Sequence, residues 1–152
     1  MKTLYLAAGC FWGIQAKLKA IRGVVETEVG YAGGHKANPT YEEVCQGETG
    51  HAETVRVSYD EEVISTQQLV DFFWQIHDPF SKDRQGPDVG TQYRSAIFYK
   101  TQDQAEAIET SRKNFLKTHR RAEDVATEIQ PFSNFYPAED YHQNYFGRKQ
   151  MR

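Results

Sequence analysis

Cysteine is scarce in this chain. There are two, Cys10 and Cys45, in 152 residues. Two cannot build a disulfide scaffold in a domain of this size. They do not form a C-x-x-C, which excludes a thioredoxin-type redox motif and a zinc ribbon. Long apolar runs are missing too. The run Leu4 to Ala8 stops at Gly9, far short of a membrane span, and no secretory signal pattern is visible. The expectation is a cytoplasmic protein without membrane contact. No long basic cluster is present and the net charge is −3. Lys117, Arg120 and Arg121 near a helix end read as a solvated face favoured by the helix dipole, so no nucleic-acid partner is expected. The five histidines show no metal-ligand spacing. His51 and Glu53 spell H-x-E, but the P-C-x-x-C that a zinc deaminase needs is absent. Six positions after Cys10 stands Ala16, where a thiolate phosphatase loop needs arginine. With no repeat, low-complexity tract or linker, residues 1–152 are expected to form a single domain.

Aromatic residues, by contrast, are plentiful. They make up 13% of the chain, nine of them tyrosines, and an apolar share of 39% suffices for a core. Leu4 to Ala8 reads as a buried strand. Phe11, Ile14, Leu18 and Ile21 form a helical stripe, ended by Gly23. Val25, Val29 and Tyr31 alternate with polar neighbours as a strand. The stretch AGGHKANPTYEE is a loop leading into a helical turn from Pro39. Val55, Val57 and Tyr59 mark a half-buried strand. Ser65 with Gln68 is a capping box, and Leu69, Phe72, Phe73 and Ile76 give the apolar face of the helix it starts. Arg94 to Lys100 is a strand. Thr101 with Gln104 caps a helix carrying Ala105, Ile108, Phe115 and Leu116, and Thr127 to Gln130 is a short last strand. The predicted class is α+β: a two-layer α/β sandwich with a ferredoxin-like split βαβ core. Two loops are long. Asp78 to Gln92 is expected to be functional or disordered. The aromatic tail from Pro131 to Arg152 is expected to cover the face of the sheet that the helices leave open.

Candidate chemistry centres on Cys10. At a helix N-terminus, free N–H groups and the macrodipole stabilise a thiolate, lowering its pKa from about 8.5. Gly9 frees the backbone for a sharp strand-to-helix turn. Gly13 costs the helix about 1 kcal/mol relative to alanine, which suggests a need for room. A small buried cysteine accounts for Cys10 equally well. Glu53 is in phase with Val55, Val57 and Tyr59, so burial would raise its pKa and make it a proton donor; a frayed strand end is the other reading. Tyr41, one helical turn before Cys45, and Tyr93 could hydrogen-bond an oxyanion.

These residues lie in six segments: GCFWG at 9–13, GYAGG at 30–34, PTYEEVC at 39–45, TGHAE at 49–53, DVGTQYRS at 88–95 and FYPAEDYHQ at 135–143. In content and order they resemble the A-type peptide methionine sulfoxide reductases over nearly the whole chain. The resemblance implies reduction of methionine S-sulfoxide, free or in proteins, to methionine: a repair of oxidative damage. It implies Cys10 as nucleophile, Glu53 as proton donor, and Tyr41 and Tyr93 as hydrogen-bond donors to the sulfoxide oxygen. Phe11 and Trp12 would wall a methyl pocket, with Asp88 and Tyr141 completing the site. Cys10 would become a sulfenic acid. Many family members carry recycling cysteines near the C-terminus, and this tail has none. The expectation is a one-cysteine cycle in a monomer. An external thiol, whether thioredoxin, glutaredoxin or a small thiol, would reduce Cys10, with no bound cofactor or metal. Cys45 reads as a packed thiol. The alternatives are a thiol hydrolase pairing Cys10 with His51, and a two-cysteine cycle using Cys45.

Overall fold

A computed structural model describes residues 1–119 and 123–146. Arg120, Arg121 and the end of the tail, 147–152, lie outside the described residues. Strand β1 (Lys2–Ala8) leads into helix α1 (Phe11–Lys19), then β2 (Val24–Ala32) and a short α2 (Tyr41–Cys45). Next come β3 (Ala52–Tyr59), α3 (Thr66–Gln75) and a two-residue pair, β4 (Arg84–Gln85) with β5 (Asp88–Val89). The chain continues through a 3-10 turn (Thr91–Tyr93), β6 (Ser95–Tyr99), α4 (Gln102–His119), β7 (Glu128–Pro131), β8 (Phe135–Pro137) and a second 3-10 turn (Asp140–His142).

Six strands form one sheet in the order β7-β6-β1-β3-β2-β8. All neighbours are antiparallel except β6 and β7. The middle four, β6-β1-β3-β2, have the split βαβ order: α1 carries the chain from β1 over β3 to β2, and the segment with α3 carries it from β3 over β1 to β6. The protein is therefore α+β. Side chains alternate across each strand. Leu4, Leu6, Val29, Tyr31, Val55, Val57, Tyr59 and Ile97 face Ile14, Leu18, Leu69, Phe73 and Ile108 of the helices. Tyr5, Ala7, Ala32, Ala52, Ala96 and Phe98 lie in a second cluster, covered by Phe132 and Phe135.

Several local expectations shift. Val25 is exposed, because one extra residue bulges β2 between Val24 and Glu26 and breaks the alternation. Helix α3 buries Leu69, Val70, Phe73 and Trp74, which rotates Phe72 out to solvent. Its Ser65–Gln68 capping box is reciprocal, and so is one at Thr40–Glu43 that starts α2. At α4 the box is one residue out of step: Thr101 accepts from the Gln104 N–H, and the Gln104 side chain accepts from the Lys100 N–H. The loop from Asp78 to Gln92 is structured by the β4–β5 pair and by Gln85, whose side-chain amide both donates to and accepts from the backbone of Asp78. The tail is not confined to one face. Phe132 stacks on Tyr5 and Phe135 packs tilted against it, whereas His142 and Tyr145 pack on Trp12 in the first turn of α1.

The turn from β1 into α1 requires glycine. Gly9 has φ +93°, and a Cβ there would come within 2.8 Å of the Gln85 Cβ. Gly9→Ala should therefore cost about 1–3 kcal/mol of stability. An unchanged midpoint in denaturant would show that this turn relaxes freely.

Candidate active site

Cys10 is the N-cap of α1, and its carbonyl accepts the Ile14 N–H at 3.4 Å. The side chain is partly buried. The N–H groups of Trp12 and Gly13 pull the thiol pKa down, as expected at a helix start, without a cap hydrogen bond to the sulfur. Burial acts the other way and is larger, with Glu53 and Asp88 adding to it, so the pKa is raised. The expectation of a lowered pKa is thus corrected for the free protein. Gly13 does not mark a crowded point either: a Cβ there would meet Phe146 at an ordinary 3.7 Å.

Glu53 is the second residue of β3, paired across the sheet with Tyr31. Only 1% of it is exposed. Oε1 accepts the Phe11 N–H at 3.2 Å, a bond that ties the carboxyl to the residue after Cys10. Oε2 is buried and has no hydrogen-bond partner among the described residues. Burial pushes the carboxyl pKa up to about 8; the Phe11 N–H opposes this and Asp88 reinforces it. The group is therefore mostly protonated at neutral pH.

Two tyrosines reach the same place from different elements. Tyr41 begins α2, and its hydroxyl interacts electrostatically with the Cys45 thiol. Its ring lies beside Phe11, Trp12 and His142. Burial and the charges of Glu53 and Tyr93 raise its pKa, so it stays a neutral donor. Tyr93 ends the first 3-10 turn and is pushed up to about 12, mainly by burial and then by Glu53, Cys45, Asp88 and Cys10. Asp88, in β5, acts electrostatically on Cys10, Glu53 and Tyr93 alike. The structure thus gathers Cys10, Glu53, Asp88, Tyr41 and Tyr93 within electrostatic reach of one another.

Three placements differ from expectation. Phe11 is 1% exposed and packs among Tyr31, Tyr41 and His142, so it supports the site from beneath. Trp12 is the partly exposed ring of the pair. Tyr141 is 56% exposed, its ring tilted against His142, and among charged groups it feels Glu139, Glu42 and Cys45, which places it at the α2 rim. Cys45 is exposed rather than packed.

Two residues of the tail were not anticipated. Glu139 accepts hydrogen bonds from the Tyr31 hydroxyl and the Tyr41 N–H. The buried His142 accepts the Trp12 indole N–H at Nδ1 at 2.9 Å, leaving Nε2 without a partner among the described residues. Their presence in a segment rich in aromatic rings was the available signal. His51, the base needed by a thiol hydrolase, is committed elsewhere. Its Nδ1 accepts from Gly34 N–H and its Nε2 donates to the Lys36 carbonyl at 2.7 Å. Among the described residues no group of three or more His, Cys, Asp or Glu side chains is arranged to hold a metal, and no helix is long and apolar enough to cross a membrane.

The family model described as peptide methionine sulfoxide reductase matches residues 2–152. A Methanosarcina mazei protein named peptide methionine sulfoxide reductase MsrA is 57% identical over 94% of this chain and 68% of its own. The reduced form of Mxr1 from Saccharomyces cerevisiae superposes with a TM-score of 0.91 at 36% identity, covering 99% of this chain and 87% of that one. Mxr1 in complex with Trx2 matches with a TM-score of 0.66 at 27% identity, over 95% of this chain and 84% of that one.

Burial of Glu53 has a consequence for stability. Between the ordinary carboxyl value of 4.5 and about 8, the folded state holds a proton that the unfolded state releases. Stability from this group is present below that window and is lost as pH rises through it. Glu53→Gln removes the ionisation. The melting temperature of the variant, relative to the parent protein, should climb from pH 5 to pH 9. A difference independent of pH would show that Glu53 ionises normally.

Proposed function

The chain belongs to the peptide methionine sulfoxide reductase family, and from that premise we propose that it reduces methionine S-sulfoxide through a sulfenic acid on Cys10, which an external thiol then reduces. As a member of the family it is an oxidoreductase acting on sulfur. The observation that carries the mechanism is the neutral Glu53 carboxyl, bonded to the Phe11 N–H beside Cys10, its other oxygen without a partner among the described residues.

A sulfoxide sulfur is a poor electrophile until its oxygen is protonated or strongly hydrogen-bonded. Glu53 supplies that proton, and the Tyr41 and Tyr93 hydroxyls donate to the same oxygen without adding charge. The Cys10 sulfur attacks the sulfoxide sulfur as the thiol proton passes to the Glu53 carboxylate. A sulfur–sulfur bond to Cys10 forms as the substrate's sulfur–oxygen bond breaks, and the oxygen, protonated again by Glu53, leaves as water. That water attacks the Cys10 sulfur, returns its proton to Glu53 and breaks the sulfur–sulfur bond, so that methionine leaves with the electron pair. The oxygen ends on Cys10 as a sulfenic acid: Cys10 is oxidised by two electrons and the sulfoxide reduced by two. Trp12 offers the exposed apolar surface against which the S-methyl group fits, with Phe11 holding the ring system from below.

A raised thiol pKa in the free protein suits this sequence. The thiol and the carboxylic acid are both neutral until a sulfoxide arrives, so neither charge opposes the other while the site waits. Binding a polarised sulfoxide then places a partial positive charge against the sulfur and favours the thiolate.

For recycling, one thiol attacks the sulfenic acid, releasing water and leaving a mixed disulfide; a second releases Cys10. The Trx2 complex of the yeast relative supports a thioredoxin as donor. Cys45 is exposed beside the Tyr41 hydroxyl, and we assign it no resolving role.

Cys10→Ser should form no methionine in a single turnover. Glu53→Gln should slow single-turnover methionine formation at least ~100-fold and abolish the decline in rate above about pH 8; a near-normal rate would remove Glu53 from the mechanism. Cys45→Ser should keep thioredoxin-supported turnover. If instead it makes one equivalent of methionine and stops, Cys45 is the resolving thiol.

A further inference from the structure

Glu139 stands just before the 3-10 turn Asp140–His142 and divides its two oxygens between two elements of the site. Oε1 accepts the hydroxyl of Tyr31 at 2.9 Å, and Oε2 accepts the backbone N–H of Tyr41 at 3.1 Å. Tyr31 is fully buried in β2 and is the direct strand partner of Glu53. The Tyr41 N–H is the first of α2, a donor without an intrahelical acceptor; the cap oxygen of Thr40 is already taken by the Glu43 N–H. Glu139 itself is fastened at both sides. The Ala138 N–H donates to the Val29 carbonyl at 2.9 Å, and the Gln143 amide bonds both the N–H and the carbonyl of Val29.

We propose that Glu139 is a positioning residue for Tyr41: its carboxylate joins the backbone at the start of α2 to β2, the strand that faces Glu53, and so sets where the Tyr41 hydroxyl meets the sulfoxide oxygen. The inference rests on the assignment of Tyr41 as a donor to that oxygen. The ring of Tyr41 has its own restraints in Phe11, Trp12 and His142, and its hydroxyl feels the Cys45 thiol. Those contacts orient the side chain but leave its Cα free to move with the short helix. A donor displaced by about 1 Å loses much of its effect on a transition state. Glu139 alone among these partners holds the main chain of residue 41 to the sheet.

Glu139→Ala removes both bonds and should lower the single-turnover rate at saturating sulfoxide by about 10- to 100-fold, with KM changing less than the rate. Glu139→Gln should stay within about 2-fold, because its amide oxygen can accept from the Tyr41 N–H while its NH2 donates to the Tyr31 oxygen. Alanine at 139 also leaves the buried Tyr31 hydroxyl unpaired, so stability is tested separately in Tyr31→Phe/Glu139→Ala. That double variant should regain melting temperature but not rate; recovery of both would make the role purely structural and overturn the proposal. In a Tyr41→Phe background, Glu139→Ala should cause little further loss. The same fold-loss in both backgrounds would overturn the role of Glu139 while leaving Tyr41 in place. Tyr41→Phe at the parent rate would remove Tyr41 from the mechanism, and Glu139 with it.

Discussion

The site depends on burying one carboxyl group. Glu53 enters the core in the second position of β3, a strand whose neighbours on both sides belong to the same sheet. Desolvation there costs the charged form far more than the neutral one. A single hydrogen bond from the Phe11 N–H opposes that cost only in part. The same N–H belongs to the first turn of α1, so the bond that anchors the acid also sets its distance from the N-cap cysteine. Sheet, helix and acid are held by one contact.

That constraint explains the unexpected direction of the thiol. A helix N-terminus and a buried acid make opposing demands on a neighbouring sulfur. The N–H groups of Trp12 and Gly13 favour thiolate; burial and nearby carboxylates disfavour it, and the second set is the stronger. A protein holding a permanent thiolate beside a permanent carboxylate would pay for their repulsion throughout. In the reaction proposed above, charge separation is deferred to the moment when a polarised sulfoxide lies between the two groups.

The tail works as a clasp on this arrangement. Glu139 bonds to β2 and α2, His142 to Trp12, and Gln143 to the backbone of Val29. Asn144 joins Gln15 and Lys19 on α1. Each of these bonds spans about a hundred residues or more of sequence. The clasp therefore closes long loops, each at the entropy cost that loop closure carries.

Periodicity and capping signals were enough to place the central strands and the three longer helices, because each depends on contacts within a few residues; the split βαβ order was inferred from the succession of those elements. The β2 bulge at Val25 and the rotation of α3 that exposes Phe72 were not legible. Both follow from packing against partners distant in sequence. The pairing of Cys10 with Glu53 could be inferred from motifs, and the phase of Val55, Val57 and Tyr59 already pointed Glu53 inward. By itself the sequence determined which chemical groups are available: one N-cap cysteine, one in-phase acid, donors without charge, and no second cysteine in the tail. Only the tertiary structure decided how those groups behave. It turned the thiol pKa upward, kept the acid protonated, put Phe11 beneath the site and tied Tyr41 to Glu139. Such properties are sums over desolvation and long-range hydrogen bonds, and they exist only once remote segments have been brought together.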